Sequence, residues 1–152
     1  MTSLDELDRI LRQHAGVRVL EAQDDFFYLY DPEHDLPPER QQPFATVVTG
    51  DHYEQVSRLD EPGAFRLNLG VTKSTYVDLF GPPPTERDAD WILASTHNYA
   101  ARDTLMPHPF YAPQYWIAII NPTALDQLRP LIEDAYGFAA RKHSNHRTRQ
   151  TG

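Results

Sequence analysis

The chain has 152 residues, no cysteine, and 22 acidic against 14 basic side chains, for a formal charge of −8. Without cysteine there can be no disulfide framework, thiolate-held zinc or iron–sulfur site, or cysteine nucleophile. An acidic body repels phosphate backbones at long range, so nucleic acid is not an expected partner.

The length suits one domain that buries roughly two thirds of the surface its unfolded form exposes. The opening stretch MTSLDELDRILRQH has neither a basic nor an apolar leader segment. No later run approaches the ~18 apolar residues of a spanning helix, which predicts a soluble, cytoplasmic protein with no membrane contact. Charge is uneven: RKHSNHRTRQTG (141–152) holds four cations and no acid, leaving residues 1–140 at −12. This predicts a domain over 1–142 and a basic, flexible tail over 143–152.

In chain order, Leu4, Leu7, Leu11 and His14 recur at helical spacing, with Ser3 and Glu6 in capping-box register and Gly16 as a stop. Residues 17–22 (VRVLEA) and 25–31 (DFFYLYD) are β-branched or aromatic runs parted by a polar pair, the pattern of a hairpin. After a polar, proline-rich loop, 43–51 (PFATVVTGD) predicts a further strand. The sharpest alternation is AFRLNLGV: Phe65, Leu67, Leu69 and Val71 on one face, Arg66 and Asn68 on the other.

Thr72 can cap a helix over 73–80 (KSTYVDLF), which Gly81 and the following prolines end. Residues 85–107 carry no clear period; DWILAS fits a strand or a helical turn, and HNYAARDTLM is weakly helical. The run 114–122 (QYWIAIINP) is apolar on both faces, as in a central strand. A last helix follows through Leu125, Leu128, Leu131, Ile132, Ala135 and Tyr136, with Pro130 inside its pattern as either a kink or the true start. The element order predicts a single α+β domain, with an antiparallel sheet of about five strands covered by N-terminal and C-terminal helices.

Several chemistries are missing. The glycines are isolated, without the G-x-G-x-x-G or G-x-x-x-x-G-K spacing of phosphate-cradling loops, and no G-x-S-x-G elbow presents a serine nucleophile. Of seven histidines only His143 and His146 share helical spacing, and they stand among cations that oppose a divalent ion. Asp51, His52, Asp60 and Glu61 surround a loop whose simpler reading is a solvated acidic surface. No metal and no cofactor are expected.

His108 stands between two prolines in MPHPFYAPQYW (106–116), so the chain itself fixes the angle of its ring. That rigidity serves an entry to a strand as well as a binding residue. Tyr111, Tyr115 and Trp116 can pack as core or line a pocket. Arg66 and Asn68, if covered, become buried donors able to hold a carboxylate or phosphate.

The stretches 65–81 and 105–123, with their F-R-L-N strand, L-F-G stop, P-H-P-x-Y-A turn and W-x-x-x-x-N-P strand end, resemble a bacterial family known only as a domain of unknown function, family 6194. That resemblance implies a fold and no activity. The turn, aromatic strand and helix near the C-terminus are also similar to the MmcQ/YjbR-like proteins, small α+β domains with helices mainly on one face of an antiparallel sheet. Some of these are labelled DNA-binding, a label this acidic body does not support.

The residues together predict a binding or interaction module in which Arg66, Asn68, His108, Tyr111 and Trp116 converge on a small anionic ligand near the His108 turn. One alternative is a small hydrolase or isomerase with His108 or His97 as general base beside a carboxylate such as Asp103. Another is a protein-interaction module using exposed aromatics of DFFYLY.

Overall fold

The computed structural model describes residues 3–50 and 56–151, with side chains as far as His146. Its centre is one sheet of six antiparallel strands in the order β1-β2-β3-β4-β6-β5. The strands are β1 (Val17–Ala22), β2 (Asp25–Tyr30), β3 (Ala45–Val48), β4 (Arg66–Gly70), β5 (Met106–Pro107) and β6 (Trp116–Ile120). β1 and β2 form the expected hairpin. The polar pair between them, Gln23 and Asp24, takes positive φ at both positions, as a tight two-residue reversal between right-twisted strands requires.

Register divides the sheet into two unlike faces. Leu67 and Leu69 of β4 lie beside Val47 and Ala45 of β3 and beside Ile119 and Ile117 of β6. Against this apolar face pack Leu7, Ile10 and Leu11 of α1 (Ser3–Arg12), Tyr76 of α2 (Lys73–Phe80), and Leu125, Leu128, Ile132 and Ala135 of α3 (Leu125–Thr151). The opposite face carries Val48, Ala118, Ile120 and Met106, and is covered by Leu59, Ala64 and Tyr99 from irregular segments. Helices thus wall one side and loops the other. Among the described residues no helix is long and apolar enough to cross a membrane.

Local signals explain the helix ends. Thr72 caps α2, its hydroxyl accepting from the Thr75 backbone N–H at 3.2 Å, and Gly81, at φ +75°, ends it. Pro130 lies inside α3, so the helix neither starts nor stops there. α3 runs on through the basic residues after 140.

The sheet agrees with the antiparallel arrangement of about five strands, and the sixth arises because Met106–Pro107 pairs with β6, Met106 opposite Ala118 and Pro107 opposite Ile117. One expectation is corrected. The strand expected over 43–51 is confined to Ala45–Val48, and Asp51 lies outside the described residues.

Residues 85–105 form no long element. The only regular pairing there among the described residues is an isolated bridge of Arg87 with Leu93 and one of Arg102 with Ile120. Side chains hold the segment in place: Asp88 accepts from the Asp90 and Ile92 amides, Tyr99 donates to the Leu93 carbonyl, and Arg102 donates to the Ser57 and Arg58 carbonyls.

Candidate functional site

The loop-covered face brings together the polar residues singled out in the sequence. Arg66 is only 2% exposed; its Nε donates to Asn68 Oδ1 at 2.9 Å and its Nη1 to Ser57 Oγ at 2.9 Å. Asn68 Nδ2 in turn donates to Thr46 Oγ1 at 2.9 Å. β4 is therefore buried on both faces, and its polar side is an internal hydrogen-bonded network that removes the cost of burying a guanidinium without partners.

His108 is 3% exposed and continues the β5–β6 ladder, its amide donating to the Trp116 carbonyl at 3.1 Å. Its Nδ1 accepts from the backbone N–H groups of Phe110 at 3.0 Å and Tyr111 at 3.1 Å. The ring thus caps its own turn. Burial, with Arg66 nearby as a second cause, holds the imidazole well below the usual histidine range. In the neutral ring Nδ1 is the acceptor, so Nε2 carries the proton and no free lone pair is left for a general base.

Tyr111 packs against His108 with its ring tilted by 39° and centroids 4.9 Å apart, and is 56% exposed; Trp116 meets the His108 ring edge-on at 6.5 Å. Arg66 and Asn68 thus form one hydrogen-bonded pair and His108, Tyr111 and Trp116 one ring cluster, with the Arg66 charge close enough to act on the His108 imidazole. The other proposed base, His97, contacts Ser95 Oγ through Nδ1 at 2.9 Å and sets its ring against Phe80. Asp103 gives both oxygens to Thr123, accepting from its amide at 2.9 Å and its hydroxyl at 2.6 Å, which lowers the carboxyl below its ordinary range. That pairing caps the start of the C-terminal segment and is not a base–orienter contact.

Of the aromatics in DFFYLY, Tyr28 is fully buried, and Phe26, Phe27 and Tyr30 are half-buried. Among the described residues the exposed aromatics are Trp91, at 68%, and Tyr111. Among the described residues no group of three or more His, Asp or Glu is placed to hold a metal ion. Asp51 and His52 lie outside those residues.

Trp116 opens onto a cavity. Where β2 and β4 end and β3 and β6 begin, a space of about 330 Å³ lies between the loop before Phe44 and the outer half of α3. Its apolar walls include Tyr30, Phe44, Val71, Trp116 and Ala139; Arg40, Lys142 and His143 bring polar nitrogens. Tyr115, in the left-handed region at φ 67°, turns the chain into β6, and the Trp116 ring then lies across Gly70, where any Cβ would come within 2.8 Å of it. Tyr30 meets the His143 ring edge-on at 5.2 Å.

Arg40, Lys142 and His143 were not foreseen from the sequence. They come from a short turn at Pro38–Arg40 and from the body of α3, about 100 residues apart, and the one available signal was the cationic run at the C-terminal end. A family model described as "Family of unknown function (DUF6194)" matches residues 1–149. No curated protein and no solved structure matches the chain.

Proposed function

The chain belongs to this family of unknown function, DUF6194, and within it we propose a small-ligand binding module, cytoplasmic, whose ligand seats in the cavity beside Trp116 at the end of the His108 turn. The observation that carries the reading is the cavity itself. Its volume of about 330 Å³ falls at the lower end of the range of small-molecule sites, and it sets aromatic and aliphatic walls against a nearly equal polar surface that includes Arg40, Gln42, Lys142 and His143, a mixed lining suited to a small polar ligand.

The surroundings of Trp116 support this reading as scaffold. The backbone ladder pairs Gly70 of β4 with Trp116 of β6, and His108 fixes its own turn through the Phe110 and Tyr111 amides, so that Trp116 forms a firm wall. A pre-ordered wall lowers the entropy lost on binding. With it we retain the resemblance of the last forty or so residues to the MmcQ/YjbR-like group, on the ground that there too helices cover mainly one face of an antiparallel sheet.

The chain has two tryptophans, so the Trp91→Phe variant leaves the Trp116 indole N–H as a single, well-separated signal in a ¹⁵N spectrum. A fragment collection screened against that protein should contain compounds that move the signal saturably and lose their effect when Ala139→Phe fills the cavity. If no fragment moves it, or if Ala139→Phe leaves the responses unchanged, the reading is refuted.

A further inference from the structure

Resting on the cavity reading above, we infer that the ligand is a compact organic anion, a carboxylate or phosphate attached to a flat apolar body, with Arg40 as its anchor. The first ground is a pair of unmet polar atoms. Arg40 Nε and His143 Nε2 are both buried without a hydrogen-bond partner, and both residues line the same cavity. A buried polar atom without a partner is costly, and an acceptor brought in by a ligand removes that cost.

The second ground is charge. Arg40 and Lys142 outnumber the single acidic lining residue, Glu39, in a chain whose overall charge is −8. None of the ion pairs among the described residues neutralises either cation. Arg40 Nη1 donates instead to His146 Nδ1 at 2.6 Å, and Lys142 Nζ sits 4.3 Å from the centre of the Phe138 ring. Desolvation there lowers the Lys142 pKa, as happens when an ammonium is held against apolar surface without a counter-ion. A carboxylate or phosphate entering the cavity supplies that counter-ion, and a guanidinium binds such groups through two parallel donors.

The third ground is the wall. Trp116, Tyr30 and Phe44 are too apolar and too large for a site holding a bare inorganic ion, and they suit a planar body.

The test uses full-length Trp91→Phe protein, the Trp116 indole signal, and three probes: benzoate, benzamide and inorganic phosphate. Benzoate should shift the signal saturably with a Kd of roughly 1 mM, the strength ordinary ligand efficiency gives so small a molecule. Benzamide, which keeps the shape and loses the charge, and phosphate, which keeps a charge and loses the ring, should each bind at least tenfold more weakly. Arg40→Gln should weaken benzoate about tenfold and Lys142→Gln severalfold, with the rest of each spectrum confirming an intact fold.

Equal binding of benzoate and benzamide would overturn the anion assignment and leave the cavity reading standing. Phosphate binding as tightly as benzoate would overturn the apolar body. An unchanged benzoate Kd in Arg40→Gln would overturn the anchor. No response to benzoate, while uncharged fragments still bind, would overturn the inference alone; no response to any compound would overturn the cavity reading with it.

Discussion

Gly70→Ala tests whether the seat of Trp116 is as tight as the structure shows. Gly70 pairs with Trp116 across β4 and β6, and a Cβ there would lie 2.8 Å from Cε2, 2.9 Å from Cζ2 and 3.2 Å from Nε1 of the indole. To regain ordinary contact at 3.4 Å the ring must withdraw by at least about 0.6 Å. Overpacking of this kind costs about 1–3 kcal/mol. Alanine in place of glycine inside a strand returns about 0.5–1 kcal/mol, because Gly70 has no positive φ to lose. The open space beside the indole lets the ring withdraw, which keeps the cost near the lower end. The net expectation is a loss of up to about 1 kcal/mol, read by urea unfolding, together with a displaced Trp116 indole resonance and a cavity too narrow for benzoate. A Gly70→Ala protein more stable than the parent, with an unmoved resonance, would show that the indole does not lie on Gly70 and would refute the reasoning.

Two further outcomes follow from the buried network. Asn68→Ala removes the acceptor of Arg66 Nε and the donor to Thr46, and at one charged and one neutral hydrogen bond should cost about 2–4 kcal/mol in urea unfolding; a loss under ~1 kcal/mol would mean the network is dispensable. His108 is a base whose folded pKa is depressed, so the unfolded chain takes up its proton first as pH falls below the ordinary 6.5. Its contribution is complete above pH 6.5 and declines below it by up to about 1.4 kcal/mol per pH unit until the folded pKa is reached. The stability difference between parent and His108→Asn should therefore shrink from pH 7 to pH 5, and a constant difference would contradict the buried neutral ring.

What the sequence makes legible here is local. The bounds of β1 and α2 follow from runs and stops within a few residues, with Thr72 and Gly81 marking the helix ends. Alternation likewise separates Leu67 and Leu69 from Arg66 and Asn68. Whether that polar side meets water is decided by Leu59, Ala64 and Tyr99, which arrive from loops with no period of their own. Met106–Pro107 is too short to show as a strand, and only β6 makes it one. The cavity is less legible still, because Arg40 and Lys142, about 100 residues apart in sequence, come to line one space only once the fold has formed.

The two borders of the sheet differ in what they could accept. At one, a two-residue strand ends in Pro107, whose nitrogen has no hydrogen to offer, so an additional chain finds little to join. At the other, among the described residues, β1 has β2 as its one strand neighbour and its outer side pairs with no strand. A sheet with a single receptive border cannot propagate: once two copies meet there, neither has a second place to extend from. Self-association by strand addition would therefore close at a pair and could not elongate into a fibre.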